Sequence, residues 1–172
     1  MTDSAPAPIH PGEATADLCD RLGEQARVCP LPWRSYGGLQ AVNAAIACVQ
    51  AFEDAGPLRA LLDTPGHGRI LLVDAGGLQR VAVLGERMAQ RALANGWRGV
   101  IVHGAVRDVA ALATLNFAVL ALGAVPRRAQ PAAATPARYG GLALGGVEIR
   151  DGDWAGLDAD GLVFVRPAGP RD

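Results

Sequence analysis

Long apolar runs alternate with segments of helical spacing through the middle of the chain. Three runs are apolar at nearly every position, which predicts strands buried on both faces: residues 69–74, 99–103 and 118–122. Residues 86–95 instead place apolar side chains at helical spacing and close at Gly96, which predicts a helix with a glycine C-cap. A second, shorter helix is predicted at 108–115. Because strands alternate with helices, the sequence predicts an α/β core.

Weaker patterns extend this core in both directions. They predict helices at 15–22 and 57–62 and strands at 41–52, 147–149 and 162–165. The connection at 123–141 is rich in Pro, Ala, Arg and Gly, and it is locally basic because it contains Arg127, Arg128 and Arg138. A solvated loop is the favoured interpretation of this connection, and a binding surface is the alternative.

Length and composition divide the chain into one domain with two short extensions. Its 172 residues have the usual size of a single domain. Prolines, glycine and small polar residues predict a flexible leader at 1–13 and a flexible tail at 167–172, so the folded domain is expected to span 14–166. The chain has no basic leader followed by an apolar run and no stretch of about 18 apolar residues, so we expect a cytoplasmic protein.

All 16 basic residues are arginine, and the sequence contains no lysine. Chemistry that requires a lysine amine is therefore excluded, including Schiff-base aldolases, pyridoxal-phosphate enzymes and Walker-type phosphate loops. The net charge of −1 provides no general attraction for nucleic acid. Cys19, Cys29 and Cys48 form no C-x-x-C pair, so we expect buried thiols in a reducing compartment.

Two segments combine polar residues with the predicted start of a helix. The first offers backbone N–H groups that can bind a carboxylate or phosphate, and it consists of Gly85, Glu86, Arg87 and Met88. The second contains Arg107, whose planar fork suits a carboxylate, and Asp108, which can give one oxygen to Mg²⁺ or Mn²⁺. Each pattern also fits a structural role, namely a turn at the glycine and a surface salt bridge for the Arg-Asp pair.

The remaining polar clusters are predicted to be structural. His103 has no second ligand at metal-site spacing, so it is expected to pack in the core. Residues 151–153 and 158–161 lack the full ligand pattern of a calcium loop and are predicted to form turns. Nucleophile-elbow, dinucleotide-binding and zinc-protease motifs are absent, and the only serines, Ser4 and Ser35, disfavour Ser-His-Asp hydrolysis.

Several short motifs follow one another in a specific order. They are Thr15-Ala16-Asp17-Leu18-Cys19-Asp20, Tyr36-Gly37-Gly38, Phe52-Glu53-Asp54, Gly68-Arg69-Ile70-Leu71-Leu72-Val73-Asp74, Gly85-Glu86, Asn95-Gly96-Trp97-Arg98-Gly99 and His103-Gly104-Ala105-Val106-Arg107-Asp108. In this order they resemble the RraA-like family, which includes the regulator of ribonuclease activity A and the class II 4-hydroxy-4-methyl-2-oxoglutarate aldolases. The resemblance covers roughly residues 15–165 and is strongest over 36–115.

The resemblance implies a single layered α/β domain with a swivelling β/β/α core, assembled as a homotrimer with sites at subunit interfaces. In aldolase members a G-x-x-[LM] turn binds substrate through its backbone, and an Arg-Asp pair binds substrate and a divalent metal cation. These roles fall on Gly85 to Met88 for the turn, on Arg107 for substrate and on Asp108 for Mg²⁺ or Mn²⁺. Regulator-type members often lack the Asp, so Asp108 favours catalysis. Aldolases frequently carry an acid where this chain has Ala111, a departure that affects the expected reaction more than the metal site.

The leading hypothesis is a metal-dependent carbon–carbon lyase. It would cleave 4-hydroxy-4-methyl-2-oxoglutarate to two pyruvates and decarboxylate oxaloacetate through the same pyruvate enolate, which a metal must stabilise because no lysine can form an imine. The alternative is a non-catalytic regulator that inhibits an RNA-degrading endonuclease of the RNase E type. In both cases we expect no direct contact with nucleic acid or membrane. A menaquinone methyltransferase, an older label in the family, gains no support because no G-x-G-x-x-G follows a strand.

Overall fold

A computed structural model describes residues 8–131 and 140–169 of the chain. The helices in these ranges are α1 (Thr15–Leu22), α2 (Gly56–Leu62), α3 (Glu86–Ala94) and α4 (Val109–Leu112), with a 3₁₀ turn at Gly23–Gln25. The strands are β1 (Arg27–Val28), β2 (Arg34–Ser35), β3 (Val42–Gln50), β4 (Ile70–Asp74), β5 (Ala82–Leu84), β6 (Gly99–Val106), β7 (Ala118–Ala124), β8 (Gly141–Leu144), β9 (Val147–Arg150), β10 (Trp154–Asp158) and β11 (Gly161–Val165). None of the helices within these ranges is long and apolar enough to cross a membrane.

One mixed sheet organises the domain, with its strands in the order β1-β11-β10-β3-β4-β6-β7-β2. The central strands β3, β4, β6 and β7 are parallel, and β5 pairs in parallel with the end of β6. Beyond β3 the sheet continues through the antiparallel strands β10, β11 and β1. β3 joins the two halves because its first residues pair with β10 and its later residues pair with β4. β8 and β9 form a separate hairpin.

The two faces of the sheet bury separate hydrophobic cores, because successive side chains of a strand point to opposite faces. On one face Leu71 and Val100 pack with α2 and α3, where Ala89 is fully buried. On the other face Leu72 and Ile101 pack in a cluster that includes the β8–β9 hairpin. The domain is therefore layered, with helices on one side of the sheet and β-structure on the other, which confirms the α/β fold class.

Three sequence predictions need correction. The helix predicted at 108–115 ends at Leu112, and the strand predicted at 99–103 continues to Val106. The sequence patterns predict strands at 147–149 and 162–165 with none between them, but β10 lies between them. Gly156 weakens the strand signal of β10, but a Cβ at this position would lie 3.2 Å from Asn43 Oδ1, so the sheet packs closely there.

The segment before α1 packs against the domain. Ile9 is buried with apolar side chains of α1 and β11, and Asn43 Nδ2 donates hydrogen bonds to the carbonyl oxygens of His10 and Glu13, at 3.1 and 3.0 Å. Residues 1–7, 132–139 and 170–172 lie outside the described residues. The division into a leader at 1–13, a domain at 14–166 and a tail at 167–172 therefore stays a prediction.

The Tyr36-Gly37-Gly38 motif has a packing role. This segment runs against the chain that leads into β7, where the Tyr36 N–H donates to the Val119 carbonyl oxygen at 2.7 Å. A Cβ on Gly37 would overlap the carbonyl oxygen of Phe117, and a Cβ on Gly38 would overlap that of Leu115. The two glycines are therefore needed for the close approach of two backbone segments.

The three cysteines are free thiols. Cys29 and Cys48 are buried, as expected, whereas Cys19 on α1 is half-buried. Burial raises the pKa of all three thiols, which disfavours the reactive thiolate.

A buried carboxylate beside β10 connects β1, the residue that follows β11 and the end of β9 in the separate hairpin. Asp153, with a side chain only 3% exposed, accepts hydrogen bonds from Arg27 at 2.9 Å, from Arg166 at 3.0 and 3.1 Å and from the Arg150 N–H at 3.1 Å. Burial alone would raise its pKa, but these hydrogen bonds outweigh burial and hold the pKa below its ordinary value. A lowered carboxyl pKa stabilises the fold above the unfolded-state pKa of about 4, and this stabilisation is lost as the pH falls through the folded-state pKa.

We expect Asp153→Asn to lower the free energy of unfolding by about 2–3 kcal/mol at pH 7, because two arginines would face a neutral amide in a buried setting. The loss should shrink as the pH falls from about 5 to 2, where protonation removes the same charge from the unsubstituted protein. Urea unfolding across this range measures both effects. Asp160→Asn in the exposed β10–β11 turn is the control, with an expected change below about 0.5 kcal/mol. Equal losses in the two variants would contradict the assigned role of Asp153.

Candidate active site

A cleft of about 710 Å³ opens at the carboxyl ends of β5 and β6, beside the first turns of α2 and α3. Open α/β sheets commonly bind ligands at the carboxyl ends of their strands. The cleft lining includes all the site residues predicted from the sequence: Gly85, Glu86, Arg87, Met88, Arg107 and Asp108. The two segments meet because β5 pairs with β6, and the Arg107 N–H continues this pairing by donating to the Leu84 carbonyl oxygen at 3.0 Å.

The start of α3 lies directly against the Arg-Asp pair. Gly85 precedes the helix in an extended conformation, and the Glu86 N–H donates to Asp108 Oδ2 at 3.0 Å. A Cβ on Gly85 would lie 2.6 Å from Asp108 Oδ2 and 3.2 Å from Arg107 Nε, so only glycine permits this approach. The next N–H groups in the first turn, those of Arg87 and Met88, have no acceptor within the helix, and both residues line the cleft.

Asp108 has a left-handed backbone, with φ 58° and ψ 38°, at the start of α4. This conformation is unusual for a residue with a side chain and is often found at functional sites. Its Oδ2 lies 3.8 Å from Arg107 Nε, and the two side chains are 41% and 35% exposed, so the pair is accessible from the cleft. No described residue donates a hydrogen bond to the second oxygen, Oδ1.

The carboxylates that line the cleft fit a divalent cation that is bound by few protein atoms. Within residues 8–131 and 140–169, no group of three or more His, Cys, Asp or Glu side chains could hold a metal ion together. Asp108 and Glu86 are the acids that line the cleft, and Glu86 Oε1 already accepts a hydrogen bond from Gln90 Nε2 at 3.0 Å. Mg²⁺ commonly binds one or two carboxylates and completes its shell with water and substrate oxygens. The Asp108 carboxylate suits such an open site and not one closed by protein ligands.

Two further arginines line the cleft, Arg59 from α2 and Arg128 from the segment after β7. Arg128 belongs to the connection predicted as a solvated loop, and its position in the cleft favours the alternative of a binding surface for this part; Arg138 lies outside the described residues. The basic run in the sequence was a signal for Arg128, whereas no pattern indicated Arg59. Four arginines and two acids give the described lining a formal charge of +2.

His103 and Ala111 do not contribute to the cleft lining. The His103 Nδ1 lies 3.0 Å from Asp74 Oδ1, and its ring meets Trp33 edge-on with centroids 6.4 Å apart. This environment agrees with the predicted packing role of His103. Ala111 is half-buried on α4, two residues before Ala113 closes the helix.

The layered α/β domain agrees with the fold class that the sequence resemblance implied. The RraA-like family model, described as aldolase/RraA, matches residues 15–164, and the chain belongs to this family. A relative from Alkalilimnicola ehrlichii, provisionally named a 4-hydroxy-4-methyl-2-oxoglutarate aldolase, is 39% identical over 152 residues, which are 88% of this chain and 94% of the relative.

Two solved structures share the fold over nearly their whole length. The RNA-processing inhibitor RraA from Thermus thermophilis is 35% identical with a TM-score of 0.84, over 93% of this chain and 98% of its own. A protein from Geobacillus kaustophilus HTA426, described as an S-adenosylmethionine:2-dimethylmenaquinone methyltransferase, is 38% identical with a TM-score of 0.86, over 91% and 96%. Because similar proteins carry such different names, the function must be argued from the site.

The backbone at Asp108 gives a test that is independent of function. Asp108→Ala and Asp108→Gly both remove the bond from the Glu86 N–H, but only glycine adopts the left-handed conformation without a steric cost. We expect the alanine variant to be less stable than the glycine variant by about 1 kcal/mol or more, measured by urea unfolding. Equal stability of the two variants would show that the backbone at this position is unstrained.

Proposed function

We propose that this protein is a divalent-metal-dependent lyase that cleaves 4-hydroxy-4-methyl-2-oxoglutarate to two pyruvates and also decarboxylates oxaloacetate. The observation that carries the proposal is the Arg107–Asp108 pair, held against the first turn of α3 in an arginine-rich cleft. The aldolase name of a relative that matches 88% of the chain supports it.

The start of α3 and Arg107 are suited to the keto-acid end of the substrate. The N–H groups of Arg87 and Met88, together with the partial positive charge of a helix N-terminus, favour a bound carboxylate. The Arg107 guanidinium adds two parallel donors for the same group. The formal charge of +2 on the described lining complements a substrate with two carboxylates.

Asp108 is the residue that would hold Mg²⁺ or Mn²⁺, through the carboxylate oxygen that accepts no described hydrogen bond. When bound there, the cation would supply stabilisation for the negative charge that develops on the keto oxygen. The Glu86 N–H and Arg107 fix the orientation of the Asp108 carboxylate, as the neighbours of a metal ligand commonly do.

Both proposed reactions pass through the same pyruvate enolate and require its negative charge to be stabilised. Cleavage breaks the C3–C4 bond as the C4 hydroxyl loses its proton, giving pyruvate and the enolate of a second pyruvate. Oxaloacetate loses CO₂ to give the same enolate, which is then protonated at carbon. A cleft that concentrates positive charge around the keto-acid end favours both reactions, because it stabilises the enolate oxygen.

We also propose that the protein assembles as a homotrimer with the cleft at a subunit interface, as the family resemblance implies. An open cleft on a single chain, with few acids of its own, is compatible with residues supplied by a neighbour. Light scattering after size-exclusion chromatography measures the mass of the assembly.

The activity test uses purified protein with oxaloacetate or 4-hydroxy-4-methyl-2-oxoglutarate and Mg²⁺. We expect EDTA to abolish turnover and added Mg²⁺ to restore it, and Arg107→Ala and Asp108→Ala each to lower kcat/KM by about 100-fold or more. Arg98→Ala is the control, because Arg98 is exposed and outside the cleft lining. Turnover that persists after chelation, or in both site variants, would rule out the proposed mechanism.

The second candidate is a regulator that binds an RNA-degrading endonuclease, which the 35% identical RNA-processing inhibitor favours. A non-catalytic regulator would bind through its surface, so its affinity should be independent of Mg²⁺ and unchanged by Asp108→Ala. A pull-down with purified RNase E-type endonuclease, with and without EDTA, measures this. Absence of binding would remove the second candidate and leave the first intact.

A further inference from the structure

We infer that Arg59 and Arg128 form a second anion-binding subsite, which binds the far carboxylate of a 2-keto dicarboxylate and selects such acids over keto monocarboxylates. This inference rests on the proposed function, since it takes the keto-acid end to lie at α3 and Arg107. It concerns a different part of the cleft, built from α2 and the segment after β7.

The Arg59 side chain is available for a ligand because the acid one helical turn later is already paired with another arginine. It is exposed on α2, while Leu58 and Leu62 on the same helix are buried and fix the helix against the sheet. The residue four positions later, Asp63, forms an ion pair with Arg91 at 3.2 Å. Among the described residues Arg59 therefore has no acidic partner, and its side chain lines the cleft.

The Arg128 side chain is available for a ligand because backbone hydrogen bonds to β5 hold its segment at the edge of the cleft. The Ala82 N–H donates to the Arg127 carbonyl oxygen at 2.7 Å, and the Ala129 N–H donates to the Ala82 carbonyl oxygen at 2.8 Å. The segment thus adds a bridge to β5, with Ala129 buried and the preceding Arg128 exposed. Arg128 has a fixed backbone, lines the cleft and makes no ion pair with any described acid.

Arg59 and Arg128 share the cleft with Arg87 and Arg107, and this position distinguishes them from the arginines on the rest of the described surface. Several surface arginines are neutralised by nearby acids, as in the Arg21–Glu13 and Arg80–Glu53 pairs. Arg98 makes no ion pair with any described acid, but it is exposed outside the cleft, where an isolated guanidinium in bulk water attracts anions only weakly. Unpaired charge on the walls of a concave cleft is more effective, because the low-dielectric walls concentrate its field.

The two subsites lie on different elements, and this arrangement suits a ligand charged at both ends. α3 and the residues after β6 contribute the Arg107 subsite, whereas α2 contributes Arg59 and the segment after β7 contributes Arg128. A cleft of about 710 Å³ has room for a five-carbon acid. A keto monocarboxylate would leave Arg59 and Arg128 without an anion, so its binding would lack their contribution.

The test compares two acids of equal length, 2-oxoglutarate and 2-oxopentanoate, which differ in having a carboxylate or a methyl group at C5. Calorimetric titration in the presence of Mg²⁺ measures the affinity of each acid without relying on turnover. We expect the unsubstituted protein to bind 2-oxoglutarate at least about tenfold more tightly. In the Arg59→Gln/Arg128→Gln variant this preference should fall below about threefold, with the affinity for 2-oxopentanoate unchanged.

Arg127→Gln is the matched control, because Arg127 neighbours Arg128 in the same basic segment but is outside the cleft lining. The control should retain the full preference. A preference that survives in the double variant, or that falls equally in Arg127→Gln, would overturn the inference. Equal binding of the two acids to the unsubstituted protein would also overturn it while leaving the keto-acid site in place. Failure of both acids to bind would instead reject the proposed function on which the inference rests.

Discussion

The hydrogen bond from the Glu86 N–H to Asp108 Oδ2 is the contact on which the candidate site depends. It joins the first turn of α3 to the segment after β6, and it requires two unusual local features. Gly85 must lack a side chain, because a Cβ would lie 2.6 Å from the same carboxylate oxygen. Asp108 must adopt a left-handed backbone, so that its side chain turns back toward α3 while its carbonyl oxygen accepts the Leu112 N–H and begins α4. The result is a carboxylate with one oxygen engaged and one open.

This contact is possible because β6 continues to Val106, three residues beyond the end predicted from its apolar run. The register between β6 and β7 shifts between Val102 and Ala105, and the last residues of β6 then pair with β5. This pairing brings Leu84 next to Arg107, and it therefore brings the start of α3 next to the Arg107–Asp108 pair. The antiparallel half, held by Asp153 and its arginines, is built on the other side of β3 and contributes none of the residues that line the cleft. The Asp153 cluster and the candidate site therefore lie on different halves of one sheet.

The sequence predicts the parts of this fold that carry strong local patterns. The strand at 70–74 and the helix at 86–94 follow from apolar periodicity, and Arg107 and Asp108 follow from a motif whose meaning comes from the family resemblance. β5 has three residues and β1 and β2 have two each, too few for any period to be visible. Arg59 could not be predicted as a cleft residue for another reason. Its proposed role in binding depends on the ion pair between Asp63 and Arg91 of α3, and local sequence patterns do not show such a long-range contact.

The geometry of Asp108 bears on the choice between a lyase and a binding protein, although the fold is common to both. If this residue only had to begin α4, glycine would serve better, because the helix takes no hydrogen bond from the Asp108 side chain and a left-handed backbone disfavours any side chain. The bond to the Glu86 N–H gives the carboxylate one structural use, but that use engages only Oδ2. Oδ1 is left beside a cleft in which arginines outnumber acids, and an open carboxylate oxygen in a positively charged cleft is suited to bind a cation together with an anionic ligand. This arrangement favours the proposed metal-assisted chemistry on a keto acid over a surface used only for docking.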